Sequence, residues 1–118
     1  MNTDGNTFRL GHIGINACNE SQAEEIARKF CLAFGFEYRP GKSSIFAGDG
    51  IEVMKSSHKG ECGHIALLTE DVEEAMMQLE KVGIGFDMDT GKYGTDGKLK
   101  ALYLRDQIGG FAVHLLRK

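Results

Sequence analysis

Three histidines and one glutamate occupy comparable positions in two halves of the sequence. His12 lies in GHIGIN (residues 11–16) and His64 lies in GHIALL (residues 63–68), 52 positions later. Glu52 lies in GIEVM and His114 lies in FAVHLL. Three imidazoles and a carboxylate suit a borderline divalent ion such as Zn, Ni, Co, Mn or Fe(II). The sequence therefore predicts a metal site.

The alternation of residue types predicts that these four side chains share one face of a sheet. Apolar residues flank each candidate ligand, as Ile13 follows His12 and Ile65 follows His64. The apolar set should face covering helices, where it is buried, so the candidate ligands should face the other way. Small residues on the ligand face leave room for a metal and a bound molecule: Gly14, Ala66 and Ala112.

Each candidate also has a plain structural interpretation. A single histidine on a strand is more often a structural residue than a ligand, and a strand glutamate usually faces solvent. The combination favours the metal, because each half offers a histidine in its first strand and a glutamate or histidine in its last. His58 is interpreted as a loop residue. A solvated face is favoured over contact with a substrate anion for Tyr93, Lys92, Lys98, Lys100 and Arg105.

Strand and helix patterns repeat with the same order in both halves. A strand at residues 8–16 precedes a helix that is capped by Asn19 and ends at Gly35, followed by strands at residues 36–38, 44–47 and 51–54. The second half predicts a strand at 63–68, a helix from Asp71 to Gly83, a strand at 84–88, a polar loop or hairpin at 89–98, and strands at 99–105 and 111–116. We expect an α+β fold: a flexible leader (1–7) and one domain (8–118) of two βαβββ modules, 8–56 and 63–118.

Composition excludes several classes of protein. A net charge of −3 offers no footprint for nucleic acid or an acidic membrane surface. No apolar run approaches the roughly 18–20 residues of a membrane span, and no signal peptide opens the sequence. Three cysteines without CxxC spacing are typical of reduced thiols. We expect a cytoplasmic protein that binds a small molecule.

Residues 8–118 resemble the vicinal oxygen chelate superfamily, which includes glyoxalase I, methylmalonyl-CoA epimerase, extradiol dioxygenases and fosfomycin or bleomycin resistance proteins. The resemblance rests on GHIGIN, GIEVMK, GHIALLTEDVEEAMMQLEKVGI and YLRDQIGGFAVHLLRK. It implies a curved mixed sheet around one divalent metal, with ligands at His12, Glu52, His64 and His114. Residues 42–56, KSSIFAGDGIEVMKS, most resemble a small domain of this superfamily that is fused to 2-keto-3-deoxy-6-phosphogluconate / 4-hydroxy-2-oxoglutarate aldolases.

Two positions depart from the pattern of glyoxalase I. The last ligand position, commonly Glu, is His114, which makes the site about one charge unit more positive and leaves Glu52 as the only candidate base among the ligands. Asn16 stands where glyoxalase I often has Arg, and the basic residues that bind glutathione there have no match.

The resemblance implies a glyoxalase-I-like lyase or isomerase of the lactoylglutathione lyase family, acting on a small 2-oxo or 2-hydroxy compound. Substrate oxygens on adjacent carbons would chelate the metal, and Glu52 would move a proton at the carbon next to the carbonyl. Two alternatives stay open: an accessory module of a sugar-acid aldolase that binds a keto acid or metal without turnover, and a drug-resistance protein. We expect a homodimer with metal sites shared between the two chains.

Overall fold

Eight strands form one mixed sheet, and two helices pack on it. The computed structural model describes residues 7–118, so nearly all of the expected leader lies outside the described residues. The elements are β1 (Arg9–Asn16), α1 (Glu20–Phe34), β2 (Tyr38–Pro40), β3 (Ser44–Ala47), β4 (Ile51–Met54), β5 (Gly63–Thr69), α2 (Val72–Glu80), β6 (Phe86–Tyr93), β7 (Leu99–Leu104) and β8 (Phe111–Arg117).

The sheet consists of two equivalent halves in the order β2-β3-β4-β1-β5-β8-β7-β6. In each half the first strand pairs in parallel with the last, β1 with β4 and β5 with β8. The halves meet where β1 runs antiparallel to β5, with Ile13 opposite Ile65. The predicted α+β fold of two βαβββ modules is confirmed. Residues of β4 and β6, five strands apart in the sheet, line one cavity, so the sheet is curved.

Side-chain caps fix where each helix begins. The Asn19 side chain accepts a hydrogen bond from the Gln22 amide at 2.8 Å, and the Asp71 side chain accepts one from the Glu74 amide at 3.0 Å. Gly35 ends α1 in a left-handed conformation (φ 75°). Helix α2 ends at Glu80, a turn before the predicted Gly83. Neither described helix is long and apolar enough to cross a membrane.

One apolar cluster lies beneath each helix. Under α1, Ala23 and Ala27 pack with the strand residues Ile45 and Val53, all at most 1% exposed. Under α2, a second cluster joins the helix to β7 and β8: Val72, Ala75, Leu99, Leu102 and Leu115. Among these strand residues, Val53 and Leu115 belong to the apolar faces that were expected to meet the helices. The opposite face of the sheet is therefore free to form a site.

The structure corrects the two outer strands. Strand β2 spans Tyr38–Pro40 rather than 36–38. Strand β6 spans Phe86–Tyr93 rather than 84–88, and it extends into the segment expected to be a polar loop or hairpin. Each is an edge strand that pairs on one side only, and β6 carries two register shifts. Because backbone pairing rather than burial holds such strands, their sequences lack the apolar alternation of inner strands.

Leu102→Ala should destabilise the fold strongly. Leu102 is fully buried in the cluster under α2, and loss of a buried leucine side chain costs about 2–5 kcal/mol. Val82→Ala is the matched control, because Val82 is 74% exposed. Urea unfolding should show a much lower midpoint for the first variant only. Equal midpoints would contradict the placement of this core.

Candidate metal centre

Four side chains from four different strands converge on the face opposite the helices. The Nε2 atom of His64 lies 3.1 Å from Oε1 of Glu52 and 3.3 Å from Nε2 of His12. The Nε2 atom of His12 is 3.3 Å from the same carboxylate oxygen. His114 completes the group, since one ring nitrogen from each of the three histidines lies within 4.8 Å of the others. The predicted candidate ligands thus lie together.

Strand register explains this convergence. Along one row of the sheet, Gly14 stands between Glu52 on β4 and His64 on β5. Along the next row, Ala66 stands between His12 on β1 and His114 on β8. A small residue therefore separates the two large side chains of each row. This spacing lets side chains from alternate strands lean toward each other above the sheet.

Gly14 is required by the close approach of His64. A Cβ atom at Gly14 would overlap the His64 imidazole ring, and real Cβ atoms do not tolerate such an overlap. His64 is only 3% exposed, so its ring has little space to retreat. The glycine that the sequence places between ligand positions thus sets the position of the His64 ring.

Hydrogen bonding keeps Glu52 ionised. Burial alone would raise the pKa of Glu52, but hydrogen bonds from His12, His64 and Ser44 outweigh it and hold that pKa well below its usual range. The Ser44 hydroxyl donates to Oε2 at 2.7 Å, while Oε1 faces the two imidazoles. The carboxylate therefore adds a full negative charge to the cluster.

His114 is poised to act as a neutral imidazole. Burial, with smaller contributions from nearby His64 and His12, lowers the pKa of His114 to about 4. Its Nε2 atom is buried and has no hydrogen-bond partner among residues 7–118. A buried polar atom without a partner is uncommon and needs an explanation. A divalent cation would supply one, because a neutral imidazole nitrogen is a common metal ligand.

The donor set fits a borderline divalent ion. Three imidazole nitrogens and one carboxylate match the preferences of Zn and its first-row neighbours. If such an ion binds, His12, Glu52, His64 and His114 are the residues that would hold it. All four belong to one chain, so the expected sharing of ligands between chains is not needed in this arrangement. The homodimer stays a prediction.

A cavity of about 560 Å³ lies against the cluster. Part of its remaining wall comes from the connector between β4 and β5, which supplies His58 and Lys59, and from β6, which supplies Asp89 and Lys92. Its volume is in the range typical of small-molecule sites. Lys92 thus lines the candidate site, although a solvated face was favoured for this residue. Lys59 also lines the site, and nothing in the sequence indicated that position.

Tyr103 is a second residue that the sequence did not indicate. Its ring stacks on His114 with centroids 4.5 Å apart and planes 11° apart. Burial, and then the charge of Glu52, raises the pKa of Tyr103, so the phenol is protonated at neutral pH. An aromatic residue on a half-buried strand normally indicates core packing. Only the register, which places Tyr103 opposite His114, reveals the contact.

Comparison with known proteins identifies the fold. No family model and no curated protein sequence matches the chain. Among solved structures, a hypothetical protein from Bacillus halodurans matches with a TM-score of 0.63 at 16% identity over 95% of both chains. Methylmalonyl-CoA epimerase in complex with methylmalonyl-CoA and NH4+ matches at 0.62 and 19%, over 93% of this chain and 94% of that one.

A variant of the Streptomyces coelicolor epimerase, in complex with 2-nitronate-propionyl-CoA, matches with a TM-score of 0.61 at 19% identity, over 93% and 94% of the two chains. The chain thus has the vicinal oxygen chelate fold, as the sequence resemblance implied. At these identities the likeness establishes the fold and leaves the chemistry to the residues.

Gly14→Ala should abolish tight metal binding while the sheet persists. The new methyl group would displace the His64 ring and remove one ligand from the cluster. Calorimetric titration with Zn²⁺ should give one site per chain for the wild type and a loss of affinity of at least about 10-fold for the variant, which is about 1.4 kcal/mol. Gly50→Ala is the matched control, because nothing lies within 4 Å of a Cβ there. Equal affinity for wild type and both variants would remove His64 from the metal site.

The metal-free protein should lose stability between about pH 6.5 and pH 4. The folded state keeps His114 neutral with a pKa lowered to about 4, whereas the unfolded chain binds a proton near the ordinary value of about 6.5. The stabilising contribution is therefore complete above pH 6.5 and disappears as pH falls through 4. Partial exposure reduces it to about 1–3 kcal/mol.

The measurement is urea unfolding of chelator-treated protein across this pH range. His114→Asn removes the titrating group and should flatten the profile relative to the wild type. A profile with the same slope for both proteins would contradict the lowered pKa.

Proposed function

We propose that this protein is a divalent-metal-dependent enzyme that transfers a proton at the carbon next to a carbonyl group. The single observation that carries the proposal is the convergence of three imidazoles and one ionised carboxylate on the wall of a 560 Å³ cavity. This arrangement favours a glyoxalase-I-like lyase or isomerase. Its substrate class is a small 2-oxo or 2-hydroxy compound, whose adjacent oxygens suit chelation.

The shared fold supports this class of chemistry. Several solved structures with the fold are methylmalonyl-CoA epimerases, including complexes with methylmalonyl-CoA and with 2-nitronate-propionyl-CoA. An epimerase inverts a stereocentre, and removal and return of a proton beside a carbonyl is one route to inversion. The same fold accommodates many functions, so the proposal depends on the residues of this cavity.

A bound divalent ion would polarise the carbonyl and stabilise the negative charge that develops on its oxygen. The residues of the chain supply the other requirements. His12, His64 and His114 provide neutral donor atoms on a rigid sheet. Tyr103 offers a protonated phenol on the cavity wall. The sheet and the β4–β5 connector form part of the cavity wall.

Glu52 is the candidate base. It is the only carboxylate in the cluster, and it is ionised at neutral pH. Two of the three hydrogen bonds that lower its pKa come from His12 and His64. Those same imidazole nitrogens cannot donate to Glu52 while they serve as ligands. The Ser44 hydroxyl would then be the only hydrogen-bond donor left to Glu52. As a residue that would also hold the ion, Glu52 would have to be partly released from it when the substrate binds, and it would then take the proton from the substrate carbon and return it.

One observation favours an alternative function without turnover. Both oxygens of Glu52 are engaged, Oε1 by the imidazoles and Oε2 by Ser44. A carboxylate held this firmly in the ionised state is a weak base. If Glu52 keeps these contacts when a substrate enters, the domain binds a keto acid or a metal as an accessory module. The same experiment separates the two functions.

Glu52→Gln should lower proton transfer by about 10²–10⁴, the usual contribution of a positioned general base. The amide keeps the size and one oxygen acceptor but removes the charge and the basicity. Exchange of the C3 protons of 2-oxobutyrate in D₂O, followed by NMR with Zn²⁺ present, reports the step directly. Metal content, measured on the same samples, should fall only modestly.

Glu37→Gln is the matched control, because Glu37 is an exposed residue whose carboxylate pairs with Arg39 at the surface. It should exchange protons like the wild type. Equal exchange by the wild type and the Glu52 variant, with metal retained in both, would remove Glu52 from the mechanism and favour the accessory module.

A further inference from the structure

We propose that the substrate carries a second anionic group, distant from its chelating oxygens, and that Lys59 binds this group. The ligand class is a 2-oxo or 2-hydroxy acid with a distal carboxylate or phosphate. The inference rests on the proposed function only in assigning the ligand to the same cavity. Beyond the proposed function, the inference specifies the charge and the length of the ligand that the cavity accepts.

Lys59 is held on the cavity wall by the connector between β4 and β5. The Asn16 side chain donates to the carbonyl of Gly60 at 3.1 Å, and the Cys62 amide donates to the carbonyl of Gly110 at 2.8 Å. These two bonds fix the segment that follows Lys59. The Nζ atom of Lys59 lies 5.2 Å from the centre of the Tyr103 ring, a cation–π distance that keeps the ammonium over the cavity wall.

Tyr103 sets the distance from the metal cluster to this ammonium. The Tyr103 ring centre is 4.5 Å from that of His114 and 5.2 Å from Nζ of Lys59, so the ammonium lies within 10 Å of the His114 ring. A short carbon chain spans such a distance. Groups chelated at the cluster and a group bound at Lys59 would therefore belong to opposite ends of one small molecule.

An adjoining cavity of about 200 Å³ gives the far end of the ligand room. Lys59, Thr90 and Tyr103 line both cavities, so the two spaces meet at the proposed anion position. Arg105 on the wall of the smaller cavity is already paired with Asp106 at 3.7 Å. Among residues 7–118, no carboxylate lies within 4.0 Å of the Lys59 ammonium, which is available to a ligand.

Lys59 favours an anionic group at the far end of the ligand. In the larger cavity Lys59 and Lys92 balance Glu52 and Asp89. The smaller cavity adds Asp87 and the mutually paired Arg105 and Asp106, so a carboxylate also faces the far end. The chelating carboxylate of the ligand would neutralise part of the charge of a bound divalent ion, and the distal anion would pair with Lys59, which has no carboxylate within 4.0 Å among residues 7–118.

The expected effect is moderate because Lys59 is an exposed residue. Exposed ion pairs contribute little, while charge-assisted hydrogen bonds to partly buried groups contribute more. We expect the distal charge to improve affinity about three- to tenfold at low salt and less at high salt.

The test compares ligands that differ only at the far end. 2-Oxoglutarate has a distal carboxylate, 2-oxovalerate has a methyl group of the same chain length, and 2-oxo-4-phosphonobutyrate has a phosphonate in place of the carboxylate. Dissociation constants are measured by calorimetry on the full chain with Zn²⁺ present. The wild type should prefer either dianion over 2-oxovalerate, and the order of the two dianions identifies the group as carboxylate-like or phosphate-like.

Lys59→Met should remove this preference and leave affinity for 2-oxovalerate and for Zn²⁺ unchanged. Lys59→Arg should retain most of the preference, and Lys42→Met, an exposed lysine in the β2–β3 turn, should behave like the wild type. Equal binding of dianion and monoanion by the wild type would overturn the inference. A preference that survives in Lys59→Met, or no binding of any of the three ligands, would also overturn it.

The proton-exchange and ligand-binding experiments together distinguish failure of the proposed function from failure of this inference. Absence of proton exchange, together with a preference for dianions that depends on Lys59, would leave this inference standing and reject turnover. Proton exchange that depends on Glu52, without any preference for dianions, would reject the inference and leave the proposed function standing.

Discussion

The antiparallel contact between β1 and β5 is the constraint on which the site depends. Ile13 faces Ile65 there, so the first strands of the two halves lie side by side with their Gly-His-Ile segments adjacent. A shift of one residue in this register would turn either histidine toward the helices, because successive side chains point to opposite faces. The cluster therefore needs no special loop. Its geometry follows from register, from Gly14 and Ala66 as spacers, and from the apolar faces that hold each helix against its own half.

Assembly of the cluster brings together groups that would otherwise be hydrated. Glu52 offsets part of this cost for His12 and His64 by accepting from both. The Nε2 atom of His114 has no hydrogen-bond partner among residues 7–118, and the ring is held by contacts with Tyr103 and with the other two histidines. An ion bound by all four residues would satisfy the Nε2 atom of His114 as well. Ion binding would thus also stabilise the fold, as is general for sites whose ligands meet only in the native state.

The sequence predicted those features that burial or local capping determines. Strands β3 and β4 have the predicted bounds because each lies between tight turns, and Asn19 and Asp71 cap their helices as expected. The shared face of the four candidate ligands followed from simple alternation. Strand β6 was predicted at 84–88, and its extension to Tyr93 was missed because the polar residues there pair through the backbone at a sheet edge. Lys59 and Tyr103 were missed because their role depends on a distance across the cavity, which no local pattern records.

The two halves share one architecture but carry different chemistry at equivalent positions. Phe46 pairs with Glu52 in the first half, as Tyr103 pairs with His114 in the second. Phe46 meets His12 edge-on at 5.7 Å, whereas Tyr103 lies flat on His114 at 4.5 Å. The first half thus supplies the candidate carboxylate ligand and two of its three hydrogen-bond partners, His12 and Ser44. The second half supplies the third partner, His64, together with His114, a phenol and most of the cavity wall, and the connector between the halves adds Lys59. This asymmetry gives the cavity two unlike ends, the candidate metal cluster shared by both halves and the wall formed by Lys59 and Tyr103. A repeated module that binds a ligand of two unlike ends requires such a difference between its copies.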